Sequence, residues 1–442
     1  MNRARLATSL FLLLALCGAI AVVPLVARLI TGATAETGLD GDGGTIAWTV
    51  DTKNGSRDAW VFGDTAVVLD GASMLGLRAG DGGRVWQLPY PAEDTALTVA
   101  GGLAVVQTGE NGPVDVIDPA TGRVAWSVRE PVRMVARDDA LYLDTCPDRR
   151  NPAPACTVTK HRVTDGAALW SVTDPAFVVG DAVIGARRPL APPASAFLPV
   201  TGAAGGGALL DTATGALLPG RIAPGGWHLF AAGGTLVSTD HDAPPGDRDC
   251  TIAVGAVDAR TGAPAWNGPI YSGRDAAREC RRTFPTVYSG SSELFGAGTD
   301  VAAVTRSGRT TLIDVTTGTQ RWTAEEPGFP IAGDGAALLV RENAETGPIA
   351  LLDLADGHRV WAAPDTGLPT SSASWEAVVA GGLVAVLGAT DDRPYVLVYD
   401  ARTGQRLARR GGWLTAAGDG WVMVSSGAGA DPGRLTLHLL TF

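Results

Sequence analysis

A tight turn that ends in glycine recurs nine times along the 442-residue chain and leads each time into a short strand-like segment. In seven copies a tryptophan follows four residues after the glycine, at Gly44–Trp48, Gly82–Trp86, Gly122–Trp126, Gly166–Trp170, Gly262–Trp266, Gly318–Trp322 and Gly357–Trp361. Two further copies, at Gly215 and Gly404, carry Pro219 and Ala408 at the tryptophan position. From Gly82 to Gly404 successive glycines lie 39 to 56 residues apart, a period typical of repeat architectures.

The fuller form of this turn is Asp-x-x-Thr-Gly, which begins at Asp118, Asp258, Asp314 and Asp400. The aspartate carboxylate and the threonine hydroxyl can both hydrogen-bond within such a turn, and glycine supplies the positive φ. The strand that follows places its tryptophan on a fixed face, where a large ring can fill the space between neighbouring sheets. We therefore interpret the seven tryptophans as packing residues between repeats rather than as ligand-stacking residues.

Each repeat has room for four short strands. Before Trp126, the segments Ala96–Val99, Leu103–Gln107 and Val114–Ile117 are separated by turn signals, and helical periodicity is absent after residue 35. Four strands in a period of this length are typical of a propeller blade. The sequence thus predicts an all-β fold.

The two ends of the repeat region are complementary. The first copy, Gly44–Trp48, lacks three preceding strands, whereas the last 30 residues contain three strand-like segments without a fourth. Joining them would complete a blade and cover exposed sheet edges. We predict an eight-bladed β-propeller of four-stranded antiparallel blades, closed by an N-terminal strand in the C-terminal blade. Nine blades stay open as an alternative, because eight complete strand sets and the composite one make nine. The doubtful set is Pro175–Gly220, which lacks the tryptophan and contains the Pro- and Ala-rich run Arg187–Pro199.

The motifs Asp118–Trp126 and Asp258–Trp266 resemble the tryptophan-docking repeats of the pyrroloquinoline-quinone (PQQ)-like propeller superfamily. The resemblance covers residues 44 to 442. It implies the propeller fold, and it implies one of two kinds of function, because the superfamily contains quinone-dependent dehydrogenases and also non-catalytic members. The non-catalytic branch includes the lipoprotein subunit of the outer-membrane barrel assembly machine. Fold alone does not choose between the two.

The N-terminus predicts export. An apolar run of 22 residues, 6–27, is preceded by Arg3 and Arg5 and is long enough to span a bilayer as a helix. We predict a cytoplasmic N-terminus with a signal-anchor helix (1–30), a linker (31–43) and an extracytoplasmic propeller (44–442), hence a single-pass protein of the cell membrane. A cleaved signal peptide with its site at Ala33-Thr34-Ala35 is the alternative.

Four cysteines lie beyond the predicted membrane segment, at Cys146, Cys156, Cys250 and Cys280. They allow three pairings, of which the local one, 146 with 156 and 250 with 280, is favoured. Disulfides would agree with an oxidising compartment. The net charge of −11 argues against a nucleic-acid partner, because phosphate binding needs clustered Lys and Arg.

No catalytic constellation is evident. The dehydrogenases of the superfamily often stack their quinone on a disulfide between adjacent cysteines, and no two cysteines here are adjacent. The five histidines, His161, His228, His241, His358 and His438, are scattered over different repeats, and solvated or edge positions are expected for each. Asp40-Gly41-Asp42-Gly43 resembles the start of a calcium loop but fits an acidic spacer better. We predict no catalytic, cofactor or metal residues.

Long loops are the candidate binding segments, because loops on a rigid scaffold usually carry binding. They are Cys146–Cys156, Arg187–Gly207, and the pair Thr239–Cys250 and Tyr271–Thr286. The leading hypothesis is a non-catalytic binding or scaffolding module for protein or cell-envelope partners. The alternative is a PQQ-dependent alcohol or sugar dehydrogenase. The oligomeric state stays open.

Overall fold

The sequence folds into β-strands connected by tight turns. The computed structural model describes the following residues: 41–53, 59–70, 73–90, 95–109, 112–130, 132–137, 139–146, 156–174, 177–179, 197–202, 207–222, 229–232, 234–242, 251–272, 294–297, 300–304, 309–342, 347–364, 377–390, 393–427 and 434–442. Among these residues no helix is long and apolar enough to cross a membrane. The predicted anchor, residues 6–27, lies outside the described residues.

Within these ranges, 37 strands form nine antiparallel sheets, which we number in chain order. Sheet 1 contains β3 (Ala59–Phe62), β4 (Thr65–Asp70), β5 (Ser73–Arg78) and β6 (Arg84–Pro89). Sheet 2 contains β7 (Thr95–Ala100), β8 (Leu103–Thr108), β9 (Val114–Ile117) and β10 (Val124–Val128). Sheet 3 contains β11 (Arg133–Arg137), β12 (Ala140–Thr145), β13 (Cys156–Arg162) and β14 (Ala168–Asp174). Sheet 4 contains β15 (Phe177–Val179), β16 (Phe197–Gly202), β17 (Gly207–Asp211) and β18 (Leu217–Ile222). Sheet 5 contains β19 (Leu229–Ala232), β20 (Thr235–Asp242), β21 (Thr251–Asp258) and β22 (Pro264–Ser272). Sheet 6 contains β23 (Leu294–Ala297), β24 (Asp300–Val304), β25 (Arg309–Asp314) and β26 (Gln320–Pro327).

Sheets 7 to 9 complete the set and include the two N-terminal strands. Sheet 7 contains β27 (Phe329–Gly333), β28 (Ala337–Arg341), β29 (Ile349–Asp353) and β30 (Arg359–Ala363). Sheet 8 contains β31 (Ala377–Ala380), β32 (Leu383–Thr390), β33 (Arg393–Asp400) and β34 (Arg406–Gly411), and β1 (Gly41–Gly43) is added at the edge next to β34. Sheet 9 contains β35 (Trp413–Gly418), β36 (Trp421–Gly427), β37 (Arg434–Thr441) and, next to β37, β2 (Thr45–Lys53).

The first and last parts of the described chain share sheet 9. There β2 pairs with β37 along its whole length, from Thr45 opposite Thr441 to Lys53 opposite Arg434. The sequence leaves its first and last strand sets incomplete, and this pairing joins them into one four-stranded sheet. Sheets 1 to 7 each use four strands in chain order, and sheet 8 has a fifth strand.

Apolar residues pack between consecutive sheets. Val67 and Ala104, for example, lie in one buried cluster between sheets 1 and 2, and Leu75 and Leu439 lie in another between sheets 1 and 9. Similar clusters connect sheets 2 with 3, 3 with 4, 4 with 5, 6 with 7, 7 with 8 and 8 with 9. Each fully buried aliphatic side chain stabilises the fold by about 1.5–3 kcal/mol. The contacts follow chain order and return from sheet 9 to sheet 1, as in a β-propeller.

The described residues form nine sheets, one more than the eight blades predicted from the sequence. The extra sheet is sheet 4, which the missing tryptophan and the Pro-rich run had made doubtful. Its four strands pair in regular antiparallel order, and residues 180–196 connect its first two strands. Phe197, Leu209 and Leu210 are fully buried there, so apolar packing holds the sheet without the tryptophan.

Candidate binding face

Seven of the nine sheets are connected to the following sheet by a tryptophan. Each indole N–H donates to the backbone carbonyl three residues before the turn glycine of the following sheet. The seven bonds, with N···O distances of 2.6–3.0 Å, are Trp48 to Ala79, Trp86 to Pro119, Trp126 to Val163, Trp170 to Thr212, Trp266 to Val315, Trp322 to Leu354 and Trp361 to Ala401. A buried indole N–H usually needs such a partner. The tryptophans are therefore used in packing between sheets.

The turn glycines lie directly against these rings. A Cβ atom on Gly122 would come within 2.7 Å of the Trp86 ring, and the φ angle of Gly122 is +71°. The same contact recurs in all seven pairs, Gly82 with Trp48, Gly122 with Trp86, Gly166 with Trp126, Gly215 with Trp170, Gly318 with Trp266, Gly357 with Trp322 and Gly404 with Trp361. Glycine is thus required twice at this position, by the backbone conformation and by the ring of the neighbouring sheet.

A β-bulge precedes each tryptophan. In sheet 1, Trp86 lies opposite Gly76 and Arg84 lies opposite Leu77, so Val85 is left without a partner residue. In sheets 2, 3, 5, 6, 7 and 9 the residue before the tryptophan likewise has no partner on the neighbouring strand. The same is true in sheet 8 for the residue before Ala408. A bulge bends and twists the strand and so redirects the side chain that follows it. In sheet 4, where Pro219 replaces the tryptophan, the ladder skips Pro219 and Gly220 instead.

One surface of the molecule, which we call the turn face, carries the glycine turns. Within a sheet the glycine turn bonds to the turn between the first two strands, as Val163 N–H does to Asp139 O at 3.0 Å and Ala401 N–H to Gly382 O at 2.8 Å. Both turns lie at one end of the sheet because its strands are antiparallel. The turn face is therefore built from short, internally bonded turns.

Aspartates on the turn face stabilise the turns in which they lie. Asp258 Oδ1 accepts hydrogen bonds from the backbone N–H of Arg260 and Thr261 and from the Thr261 hydroxyl. The Thr261 amide, more than any other group, lowers the pKa of Asp258. The hydroxyl of Thr403 does the same for the pKa of Asp400. These aspartates stabilise the turns in their ionised form.

The opposite surface, which we call the loop face, carries the connections from the second to the third strand and from one sheet to the next. The predicted disulfide between Cys146 and Cys156 is confirmed and lies here, between β12 and β13. Cys250 and Cys280 lie outside the described residues. The predicted long loops are partly strand, because β20 continues to Asp242 and β16 occupies Phe197–Gly202, while 243–250 and 273–293 lie outside the described residues.

A polar cluster lies on the loop face between sheets 1 and 2. The Tyr90 hydroxyl donates to Asp115 Oδ2 at 2.7 Å, and the Ser127 hydroxyl donates to Asp115 Oδ1. Arg129, which is largely exposed, forms an ion pair with the same carboxylate at 3.0 Å. Burial raises the pKa of the Tyr90 hydroxyl, so this group stays protonated and acts as a donor. Both carboxylate oxygens of Asp115 are therefore used in holding the two sheets together.

The histidines are dispersed, as expected, but His438 differs from its predicted solvated or edge position. It is 1% exposed in sheet 9, with Nδ1 3.0 Å from the Thr49 hydroxyl and Nε2 3.0 Å from the Ser426 hydroxyl. His161 Nδ1 lies 2.9 Å from Gly166 O, and His358 pairs with Asp356 on the surface. His228 and the side chain of His241 lie outside the described part of the chain.

Two groups of described residues have the types and spacing of metal ligands. The first is Asp144 with Cys146 and Cys156, and the two cysteines form a disulfide with each other. The second is Asp353, Asp356 and His358, in which both carboxylates bond to backbone amides of their own turn. Both groups thus have structural roles.

Sequence reasoning missed strand β1. Gly41–Gly43 falls in the predicted acidic linker, and in the structure it pairs with β34 of sheet 8, Gly41 opposite Arg410 and Gly43 opposite Ala408. The available signal was Ala408, which marks sheet 8 as one of two repeats without a tryptophan. In sheet 4, where Pro219 replaces the tryptophan, the described residues add no strand, so this signal alone does not predict one.

Comparison with known proteins places these features among relatives. A family model described as outer membrane protein assembly factor BamB matches residues 34–176 and 164–363. No curated protein sequence matches the chain. Among solved structures, BamB from Moraxella catarrhalis is 16% identical, with a TM-score of 0.39, over 89% of this chain and 98% of that one. A quinohemoprotein alcohol dehydrogenase from Pseudomonas putida HK5 is 13% identical, with a TM-score of 0.42, over 90% of this chain and 76% of that one. The computationally designed Ika8 protein is 13% identical, with a TM-score of 0.42, over 84% of this chain and 98% of that one.

Proposed function

Because the chain belongs to the family of the outer membrane protein assembly factor BamB, we propose that it is a non-catalytic scaffold that binds proteins or other components of the cell envelope. The observation that carries this proposal is the family match, which extends over residues 34–363. The described geometry is compatible with it, since the polar groups of the turn face and of the Asp115 cluster are used in structural contacts.

The proposal includes a location. Residues 6–27 would anchor the chain in the cell membrane, with the sheets on the extracytoplasmic side. The disulfide between Cys146 and Cys156 supports an oxidising compartment, because cytosolic thiols are kept reduced. Cys250 and Cys280 would form a second disulfide there.

The proposal also includes the architecture. The nine sheets would be the blades of one ring, closed by β2 in the sheet of β37. A closed ring has no long unpaired sheet edges and presents its connections on two flat faces. The loop face is the proposed binding side, since its connections are longer than the turns opposite and are not fixed by the repeat.

The test is crosslinking of the full chain in its own membrane, followed by identification of the crosslinked proteins by mass spectrometry. Two matched charge reversals on sheet 2 serve as variants, Glu130→Arg on the loop face and Arg123→Glu on the turn face, both at exposed residues. We expect a reproducible envelope partner that Glu130→Arg weakens and Arg123→Glu leaves unchanged.

The proposal fails if no partner recurs between replicates and the purified chain, given PQQ and calcium, reduces a dye with an alcohol or a sugar as electron donor. That outcome would support the dehydrogenase alternative. A partner that is lost equally with both variants would contradict the choice of the loop face and leave the scaffold role in place.

A further inference from the structure

The path of β1 shows from which face the N-terminal part of the chain reaches the sheets. Strand β34 runs from the turn face, where the turn Asp400–Gly404 precedes it, to the loop face, where Gly412 leads into β35. Strand β1 is antiparallel to β34 and therefore runs from the loop face toward the turn face. The residue that precedes Gly41 is thus attached at the loop-face end of sheet 8.

Close backbone contacts fix β1 in this position. A Cβ atom on Gly41 would come within 1.9 Å of Arg409 O, and one on Gly43 within 2.0 Å of Leu407 O. Only glycine allows this approach without a shift of the backbone. A slide of β1 by one residue would place Asp42 in one of these positions, where its Cβ would clash with the backbone of β34.

The guanidinium group of Arg410 adds polar contacts to the same segment. It donates to the carbonyl oxygens of Gly43 at 2.9 Å, Gly41 at 3.1 Å and Gly44 at 3.3 Å. Charge-assisted hydrogen bonds of this kind are stronger than neutral ones. Asp42 and Arg406 form a further ion pair at 3.5 Å, but both side chains are exposed, so this pair contributes little. Arg410 therefore holds the chain at the point where it changes from sheet 8 to sheet 9.

We propose that the loop face is turned toward the lipid bilayer in which the chain is anchored; this inference rests on the membrane segment 6–27 of the proposed function. Thirteen residues, 28–40, separate that segment from Gly41. Fully extended, they span at most about 45 Å. The described strands are mostly four to eight residues long, so the two faces lie about 20 Å apart. If the turn face were toward the bilayer, the linker would have to cover these roughly 20 Å along the outside of sheet 8 on its way from the membrane to Gly41.

The tether rather than charge determines this orientation. The chain carries a net charge of −11, so its surface is not attracted to anionic head groups. An orientation set by β1 and Arg410 is independent of ionic strength, whereas one set by surface charge is screened within about 8 Å at physiological salt. The membrane-facing surface is therefore the one with the disulfide between Cys146 and Cys156.

The experiment measures energy transfer from the protein to the membrane. The full chain is reconstituted in vesicles of phosphatidylethanolamine and phosphatidylglycerol that carry an acceptor dye on a small fraction of their head groups. A fluorescent amino acid replaces one exposed residue at a time: on the loop face Glu342 or Glu130, and on the turn face of the same two sheets Ala355 or Ala120. We expect at least about twofold more efficient transfer from the loop-face member of each pair, since the faces differ by about 20 Å in height. Salt at 0.5 M should leave the difference unchanged.

Each outcome decides between the proposals. If the vesicles float with the protein and the turn-face positions transfer equally or better, the orientation is wrong and the anchored scaffold stands. If the protein does not float with the vesicles, the anchor is wrong and the orientation falls with it. An orientation that reverses or disappears in high salt would contradict the role of the tether.

Discussion

Seven junctions between neighbouring sheets contain a docked tryptophan, and two, from sheet 4 to sheet 5 and from sheet 8 to sheet 9, do not. At the junction of sheets 7 and 8, Trp361 donates to Ala401 O at 2.8 Å and its ring covers Gly404. At the junction of sheets 8 and 9, Ala408 stands in the tryptophan position and strand β1 pairs beside it. The comparison shows that buried aliphatic residues, such as Val398, Leu414 and Val424, can pack two sheets together without a docked indole.

The other exceptional junction has neither a docked tryptophan nor an added strand among the described residues. Between sheets 4 and 5, Phe197, Leu209, Leu236 and Ala259 form a small buried cluster with part of Leu218. Pro219 stands at the position from which the preceding sheet would supply a tryptophan to the turn of Gly262. Fewer contacts of this kind mean a lower local free energy of opening. We therefore expect this junction to exchange its amide hydrogens faster than the seven junctions that contain a docked tryptophan.

The largest expected effect is at a docked glycine. Gly122→Ala should destabilise the fold by about 2–5 kcal/mol, because the left-handed backbone conformation costs about 1–2 kcal/mol and the new methyl group overpacks the Trp86 ring at about 1–3 kcal/mol. Gly102→Ala is the matched control. Gly102 has a φ of +76° but no atom within 4 Å of an added Cβ, so only the conformational cost remains. Chemical denaturation of both variants measures the difference, and equal losses would show that the ring contact is unimportant.

A pH effect is expected from His438, which is buried inside sheet 9. Burial, more than any other cause, lowers the pKa of His438 to about 4, with nearby Arg410 acting in the same direction and Asp51 against it. Because the unfolded imidazole binds its proton near pH 6.5, the folded state loses stability as the pH falls from about 6.5 to 4, by at most about 3 kcal/mol.

His438→Gln should flatten this part of the stability profile, measured by thermal unfolding between pH 4 and pH 7. His358→Gln is the control, since pairing with Asp356 raises the pKa of His358 and its contribution has the opposite sign. The assignment is wrong if the wild-type and His438→Gln profiles stay parallel.

A smaller effect is expected when a docked indole loses its hydrogen bond. Trp361→Phe leaves the carbonyl of Ala401 without its donor and removes part of the ring, at a cost of about 2 kcal/mol. Trp421→Phe, at a half-buried tryptophan of sheet 9 that is not part of a docking pair, should cost less. Urea midpoints of the two variants provide the comparison, and a larger loss for Trp421→Phe would contradict the docking role.

The smallest effect concerns the added strand. Arg410→Gln removes the contacts to the carbonyls of Gly41, Gly43 and Gly44 and should destabilise the fold by about 1 kcal/mol. Its clearest sign should be faster hydrogen exchange in residues 41–44, measured by mass spectrometry. Arg402→Gln, at an exposed turn residue, should leave that segment unchanged; if both variants behave alike, Arg410 does not hold β1.

Much of the fold could be predicted because its signals are local. The Asp-x-x-Thr-Gly turn, the tryptophan four residues later and the alternating strand Val114–Ile117 lie close together in sequence, and each depends on backbone conformation or on period-two burial. The disulfide between Cys146 and Cys156 is also local, with a separation of 10 residues. The incomplete strand sets at the two ends predicted their shared sheet.

The features that sequence reasoning missed join distant parts of the chain. The contact of Arg410 with Gly41 connects residues 369 positions apart, and His438 is buried by Thr49 from the other end of the chain. The bulge before each tryptophan appears only when two strands are paired, since it is a mismatch between their registers. The number of sheets was also undecided, because the missing tryptophan of sheet 4 outweighed its apolar strands.

The sequence by itself determined the repeat, the class of fold and the residues that connect one sheet to the next, because a turn and the strand after it are encoded within a few neighbouring residues. Only the tertiary structure decided that nine sheets form, that Gly41–Gly43 adds a strand to sheet 8, and which face that strand comes from. These properties depend on which edges remain open after all the local units have folded, and no single segment contains that information.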